Sequence, residues 1–325
     1  MENPVLNVLI CGSTEISKIP GITAAGRDPE ATFETPSLDA EIMVEGRIIK
    51  SRKIPITPDG IPTPSIVSKA CLDLLGIPTL VVNGGLQRKP NCYYIETGLS
   101  PALSGVTKIA LPQMAEAINF GTKLSEMLRN INKPIMISES VPGGTTTAQL
   151  TMRLWGKTFN SSSSMISNPG TLKDEIVSKA LQLHGIQSDP LKSIKCGGDY
   201  MQALLLGILS NHDGKTIYLC GGTQMAVVWY IAKEIGINMD NVFLVTTDLV
   251  MKGSFNEITK IVKGENILVA ETNFQNSKYH GLNEYSQGVA KEGAGMGGSL
   301  FFAQRTKSPN EVINAIERFY SRFLP

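Results

Sequence analysis

The chain has 325 residues, of which 42% are hydrophobic, so it can bury a full core in one large α/β unit or two smaller domains. Lys and Arg together number 30 and Asp and Glu 29, which leaves a net charge of +1. A chain this close to neutral lacks the basic excess that nucleic-acid binding requires, so we predict no nucleic-acid partner.

Short β-branched runs recur along the chain, most of them closed by a small or polar residue and followed by a helical pattern. The runs cover residues 6–11, 79–82, 135–138, 217–220, 242–246 and 267–270. Continuous apolar strands that alternate with helices predict an α/β fold with a mostly parallel, Rossmann-like sheet flanked by helices. Ligands of such sheets bind at the carboxyl ends of the strands, so we expect functional residues after positions 138, 220 and 246.

Helical patterns are predicted at 112–130, 146–155, 172–183, 200–209, 224–235 and 256–262. A last helix has the clearest start, because Ser308, Pro309 and Glu311 form a capping box with proline at the first position. Residues 27–64 are rich in proline and charge and lack a strong helical period, so we interpret them as a peripheral excursion near the active site or a dimer contact. The serines at 161–164 are interpreted as a solvated linker.

We expect residues 1–325 to form one catalytic unit. Its main α/β domain would cover about 100–290, and about 1–99 with 291–325 would build a smaller helical or peripheral region. The five cysteines are widely spaced without a CxxC motif, which predicts reduced thiols in a cytoplasmic protein. The three histidines do not pair with cysteine at ligand spacing, so no metal site is predicted. No basic leader or long apolar stretch is present, so we predict neither a signal peptide nor a membrane partner.

Glu139 opens a loop made almost entirely of small residues. The segment reads E-S-V-P-G-G-T-T-T and ends in Gly143, Gly144, Thr145, Thr146 and Thr147. Glycine lets a ligand approach the backbone, and N–H groups and hydroxyls at a helix N-terminus hold phosphate. The segment fits a phosphate cradle, and it fits equally a turn capped by threonine.

The same design recurs after another predicted strand, at Gly221, Gly222 and Thr223. A third glycine pair, 197–198, precedes a helix and has Lys195 nearby. Three such turns at predicted helix starts indicate a ligand that lies against several loop tips. Asp248 ends a further strand, where it fits a contact to ribose hydroxyls and a helix cap equally well. His280 lies in a polar segment and is interpreted as an exposed loop residue.

Near the C-terminus, Glu292 precedes a run of small residues that includes Gly293 and Gly295 and formally matches the dinucleotide fingerprint G-x-G-x-x-G. The residues before this run do not form a clean strand. Too few residues follow Gly298 for a second strand carrying the ribose-binding acid. The context therefore argues against a Rossmann NAD site.

Taken together, these residues resemble the nicotinate-nucleotide:5,6-dimethylbenzimidazole phosphoribosyltransferase family, specifically its archaeal branch. Bacterial members carry the motifs E-x-G-I-G-N-T-T, G-G-F-E and G-E-G-T-G-A-A, which here match 139–146, 221–224 and 291–297 in the same order. The resemblance covers about residues 130–305 well. Departures at Val141, Pro142, Gly144 and 223–224 concern base choice and ribose contacts more than reaction class.

The resemblance implies transfer of phosphoribose from nicotinate mononucleotide to a benzimidazole or purine base, as in the synthesis of the lower ligand of cobamides. It assigns Glu292 as general base and Glu139 as a residue that organises the site. It places the phosphate and ribose against the two glycine loops, and it implies a homodimer with no cofactor. The alternative is a non-catalytic nucleotide-binding protein of the same fold, and the acceptor base is left open.

Overall fold

A computed structural model describes residues 1–50 and 54–324 of the chain. Its strands are β1 (Asn7–Cys11), β2 (Thr79–Asn83), β3 (Ile135–Ser140), β4 (Ile217–Cys220), β5 (Val242–Thr247) and β6 (Ile267–Ala270). Its α-helices are α1 (Pro29–Glu45), α2 (Ser65–Leu75), α3 (Met114–Leu128), α4 (Gly144–Leu154), α5 (Gly170–His184), α6 (Pro190–Gly197), α7 (Tyr200–Ser210), α8 (Thr223–Glu234), α9 (Asp248–Ile261), α10 (His280–Asn283), α11 (Met296–Thr306) and α12 (Pro309–Tyr320).

The strands form one parallel sheet in the order β2-β1-β3-β4-β5-β6, which confirms the predicted fold class. From β1 the chain passes to β2, the neighbour of β1 on one side, and then crosses back to β3, its neighbour on the other side. Cys11 at the end of β1 therefore pairs with Ser140 at the end of β3. Open α/β sheets bind ligands outside the carboxyl ends of their strands at this kind of switch point.

Alternate residues of the central strands face two different cores. Val8 and Ile10 of β1 join a large cluster with α3, α7 and α8, while Leu9 and Cys11 join a cluster that includes α1 and α11. A further cluster packs α2, α11 and α12 against residues 270–290. The sheet is thus covered on both faces, which explains why its strands read as continuous apolar runs.

Helix α1 lies within residues 27–64, which were interpreted from the sequence as a peripheral excursion because they lack a strong helical period. The Asp28 side chain accepts a hydrogen bond from the Ala31 N–H, proline occupies the first helical position, and Gly46 ends the helix in a left-handed conformation. Several of its buried positions are polar, namely Thr32, Thr35, Ser37, Asp39 and Glu41. Because these polar residues face inward, the apolar period that marks most helices is absent from the sequence.

Most predicted elements are confirmed to within a few residues, including the capping box at Ser308. Helix α9 starts eight residues earlier than predicted, and a non-helical Ser254 (φ −142°) divides it. Helices α1, α2, α6, α10 and α11 were not predicted. The domain boundary near residue 100 stays a prediction, and two of the six strands come from before it. No helix in the described ranges is long and apolar enough to cross a membrane.

Candidate active site

A cavity opens at the carboxyl ends of the strands, next to the switch point between β1 and β3, with about 820 Å³ of empty space that is partly open to solvent. Its wall is built from the loop after β3, the starts of α4 and α8, residues 162–164, residues 290–293, part of α1 and the segments 55–57 and 62–64. Glu139, Gly143, Gly144, Thr145, Gly222, Glu292 and Gly293, all predicted site residues, line it.

Glu139 lies near the end of β3 and is only 5% exposed. Its carboxylate accepts a hydrogen bond from the N–H of Val141 at 3.0 Å. Burial raises the pKa of this carboxyl well above its usual range, and the nearby charges of Glu292 and Asp199 raise it further. A carboxyl in this setting binds its proton more firmly than an exposed one.

Glu292 faces the same cavity from the segment that precedes α11. Both of its carboxylate oxygens accept the N–H of Gly297, at 3.0 and 2.9 Å, in the first turn of that helix. Burial raises the pKa of Glu292 to about 8, although this hydrogen bond opposes the shift. A carboxyl with a pKa near the working pH is suited to proton transfer.

The glycines around Glu292 serve backbone geometry. Gly293 (φ 145°), Ala294 (φ 48°) and Gly295 (φ 74°) all have positive φ, and the Ala294 N–H donates to the Glu139 carbonyl at 2.8 Å. A Cβ on Gly295 would lie 2.6 Å from the Ser138 Cβ. Gly295 therefore does not face the cavity, and its function is to let the loop pass over the sheet.

The start of α4 presents only part of the predicted phosphate cradle. Gly143 (φ 80°) caps the helix, and a Cβ on Gly144 would lie 1.9 Å from the Gln224 amide oxygen. Thr145 lines the cavity, whereas Thr146 and Thr147 point into the protein. The Thr147 hydroxyl donates to Asp199 at 2.5 Å.

The start of α8 likewise presents Gly222, while its neighbours lie beneath the surface. A Cβ on Gly221 would lie 2.7 Å from the Met225 side chain, so this glycine permits close packing. The Thr223 hydroxyl lies 2.9 Å from the Ser162 hydroxyl and also accepts the Ser162 N–H at 3.2 Å. Thr223 therefore positions a serine of the cavity wall.

The serines at 161–164 do not form a solvated linker, which corrects the sequence interpretation. Ser161 to Ser163 are buried, and residues 162–164 line the cavity. Two lysines donate hydrogen bonds to oxygen atoms of this loop. Lys173 donates to the Ser162 carbonyl at 2.5 Å and to the Ser161 hydroxyl at 3.0 Å, and Lys291 donates to the Ser163 carbonyl at 3.2 Å. Burial, with a smaller effect of Lys291, lowers the pKa of Lys173 to about 7.

The opposite wall comes from residues 27–64, for which a place near the active site was one of two interpretations, but its individual residues were not predicted because the region has no recognisable motif. Helix α1 contributes Thr35 and Asp39, and the two short segments contribute Thr57 and Thr63 among prolines. An isolated bridge pairs Ile56 with Pro62 and brings these segments together. This wall is a mixture of flat apolar surface and hydroxyl groups.

Three other residues noted in the sequence lie away from the cavity. Asp248 does not line the cavity. Its carboxylate accepts the Thr272 N–H at 3.0 Å and pairs with Lys252 at 2.8 Å. Lys195 is exposed on α6, and His280 is 88% exposed on α10. Among the described residues, no three His, Cys, Asp or Glu side chains come together in a way that could hold a metal ion.

Comparison with known proteins finds relatives along the whole chain. A UPF0284 protein of Thermoplasma volcanium is 37% identical over 324 residues, covering 99% of this chain and 95% of its own. UPF0284 proteins of Thermoplasma acidophilum and Methanopyrus kandleri are 35% and 36% identical, covering 94% and 88% of their own lengths and 99% and 98% of this chain. No protein-family model matches the sequence.

Two solved structures share the fold. The crystal structure of CobT from Thermus thermophilus has a TM-score of 0.64 and 12% identity, over 99% of this chain and 84% of that one. A structure of nicotinate-nucleotide-dimethylbenzimidazole phosphoribosyltransferase from the same organism has a TM-score of 0.62 and 13% identity, over 98% and 83%. At these identities the likeness is one of fold.

Proposed function

Because the chain belongs to the UPF0284 protein family and has the fold described above, we propose that it transfers phosphoribose from nicotinate mononucleotide to a benzimidazole-type or purine base. The products are an α-riboside phosphate and nicotinate, as required for the lower ligand of a cobamide. The observation that carries the proposal is that Glu292, with its raised pKa, and buried Glu139 face one cavity beside two glycine-rich helix starts.

The reaction exchanges one C–N bond for another at ribose C1′. The bond to the pyridinium nitrogen breaks and its electrons neutralise the ring, so nicotinate leaves without help from an acid. A ring nitrogen of the incoming base attacks C1′ from the opposite face, which converts a β-glycoside into an α-riboside. Positive charge develops at C1′ in an oxocarbenium-like transition state, as at other glycosyl centres.

Glu292 is the general base of the proposed reaction. As one nitrogen of the base attacks C1′, the N–H proton on its other nitrogen passes to the Glu292 carboxylate. General-base assistance of this kind contributes about 10²–10⁴-fold to a rate. Glu139, which lines the same cavity, steadies the site and the cationic ring of the nucleotide.

The phosphate is proposed to lie against three loop tips. Gly143, Thr145 and Gly222 present backbone N–H groups at the starts of α4 and α8, where helix dipoles favour an anion, whereas the Gly144 N–H already donates to the Val141 carbonyl. Residues 162–164 add hydroxyl groups with Lys173 and Lys291 behind them. Positioning of the nucleotide by these groups supplies much of the remaining rate enhancement.

The test is to mix the protein with nicotinate mononucleotide and a panel of bases and to follow nicotinate release. Release that depends on an added base, with an α-riboside phosphate as the product, supports the proposal. Nucleotide binding without release from any base would instead favour the alternative, a nucleotide-binding protein that has kept the fold. Calorimetric titration with nicotinate mononucleotide distinguishes this alternative from a chain that does not bind the nucleotide.

Three further expectations belong to the proposal. The homodimer implied by the family resemblance is tested by light scattering after gel filtration. The reaction needs no cofactor, because the pyridinium leaves unaided. All five cysteines are free thiols, which favours the predicted cytoplasmic location.

A further inference from the structure

Asp39 is a buried carboxyl group in the cavity wall opposite the proposed phosphate loops. It is 4% exposed and lies in α1. One of its oxygens accepts hydrogen bonds from the hydroxyls of Thr63 at 2.7 Å and Ser65 at 3.0 Å. The other accepts the hydroxyl of Ser140 at 2.7 Å. Among the described residues, no lysine, arginine or histidine forms an ion pair with it.

This set of partners leaves Asp39 able to accept one more donor. A carboxylate offers about four acceptor positions, and three hydroxyls fill three of them. Asp39 lines the cavity, so a bound molecule would be the natural donor for the fourth position, which belongs to the oxygen that Ser140 contacts. A buried carboxylate held only by neutral hydroxyls gains from a further N–H or O–H donor, since hydrogen bonds to charged groups are the stronger ones.

The surroundings of Asp39 fit the flat ring of an aromatic base. Pro55, Ile56, Pro62 and Pro64 give this part of the cavity an apolar lining. The same wall adjoins the proposed general base, because a Cβ on Gly293, next to Glu292, would lie 3.3 Å from the Pro64 ring. A base held between Glu292 and Asp39 would therefore lie against the prolines, with one edge at each carboxyl group.

We propose that Asp39 is the specificity-determining residue for the acceptor base, which carries an amino or hydroxyl donor on the edge that faces it. The inference rests on the proposed transferase function and narrows its substrate class. Dimethylbenzimidazole presents methyl groups on that edge, and these would displace water from Asp39 without replacing its hydrogen bond. A lost hydrogen bond to a charged group corresponds to about 10–100-fold in kcat/KM.

The wild-type protein tests the inference without any substitution. Nicotinate release would be measured with adenine against purine, which lacks the amino group, and with hydroxybenzimidazole against dimethylbenzimidazole. We expect kcat/KM to be about 10–100-fold higher for the donor-bearing member of each pair. Equal or reversed values would overturn the role of Asp39 while leaving the transferase intact. Release with none of the four bases would contradict the proposed transferase activity, and the assignment of Asp39 would fall with it.

A variant pair locates the effect. Asp39→Asn keeps the size of the side chain but lowers its charge, and we expect it to reduce the preference for adenine over purine by about tenfold or more. Asp73→Asn, at a half-exposed carboxylate outside the cavity wall, should leave the preference unchanged. An Asp39→Asn protein that folds and keeps the wild-type preference would overturn the assignment. If thermal melting shows that this variant does not fold, the role of Asp39 is decided by the two substrate comparisons in the wild-type protein.

Discussion

The carbonyl oxygen of Glu139 accepts a hydrogen bond of 2.8 Å from the backbone N–H of Ala294. This bond joins the end of β3 to the loop before α11, although the two are separated by more than 150 residues of chain. It holds Glu292, two residues before Ala294, close enough for its charge to raise the pKa of Glu139. Once Glu292 is ionised, Glu139 therefore holds its own proton more firmly.

Glu292→Gln tests the general base directly. We expect kcat to fall by about 10²–10⁴-fold, because glutamine cannot accept the proton of the attacking base. The affinity for nicotinate mononucleotide should change little, since the proposed phosphate contacts lie on other loops. Nicotinate release and calorimetric binding measure the two quantities separately. The control is Glu271→Gln, at an exposed position outside the cavity wall, and weak binding with normal turnover would show that Glu292 has another role.

The pH dependence of turnover follows from the same group. Only ionised Glu292 can accept a proton, and its pKa is raised to about 8. At saturating nucleotide we therefore expect kcat to rise about tenfold per pH unit below this value and to level off above it. Saturation matters because Lys173, whose pKa is about 7, loses charge over the same range and weakens nucleotide binding. A flat profile in the wild type would contradict the base assignment, as would an unchanged rise in Glu292→Gln.

The sequence predicted the sheet well because each strand is buried on both faces, and its apolar run is then visible without any partner. It also singled out Glu139 and Glu292, which line the cavity and whose roles stay predictions, because acidic residues beside glycine loops form recognisable motifs. It failed for α1, where Thr35 and Asp39 are polar yet buried, so no apolar period appears. The serine loop was misread for a related reason, since its burial depends on Lys173, which lies on the following helix.

Several predicted site residues turned out to lie beneath the cavity surface. Thr147 bonds Asp199 and Thr223 bonds Ser162, which are contacts between distant segments that no local pattern specifies. Gly295 is required by its backbone angle and by Ser138, not by a ligand. Motif spacing thus located the loops, whereas the direction of each side chain depended on tertiary packing.

Lys173→Met tests the proposed phosphate subsite. Methionine keeps most of the length of the side chain but removes the charge and the donors to the serine loop. We expect about a 10–100-fold loss in kcat/KM for nicotinate mononucleotide and a much smaller loss for nicotinate riboside, which has no phosphate. Lys179→Met, at an exposed position on the same helix, is the control. Equal losses for nucleotide and nucleoside would show that Lys173 acts only through folding.

Gly295→Ala tests the geometry of the loop that carries Glu292. A side chain at φ 74° is strained, and its Cβ would overlap Ser138 at 2.6 Å. We expect a loss of about 2–4 kcal/mol in the free energy of unfolding, measured by denaturant titration. Gly264→Ala, where nothing lies within 4 Å of the added atom, should be nearly neutral. A Gly295→Ala protein as stable as the wild type would mean that the loop follows a different path.

The stability of the protein should carry the opposite pH signature to its activity. Glu292 has a folded-state pKa of about 8, above the ordinary value of 4.5, so between these values the folded state binds more protons than the unfolded one. Its contribution to stability is therefore full below about pH 4.5 and is lost as the pH rises through 8.

Glu292→Gln has no proton to lose at this position. We therefore expect the melting temperature of the variant, relative to that of the wild type, to increase between pH 5 and 8. Above pH 8 the difference between the two should stay constant. Calorimetric melting curves across this range, with Glu271→Gln as the reference, measure the difference. A gap that stays constant with pH would show that Glu292 is not buried as a proton-holding acid, and the activity profile would then need another titrating group.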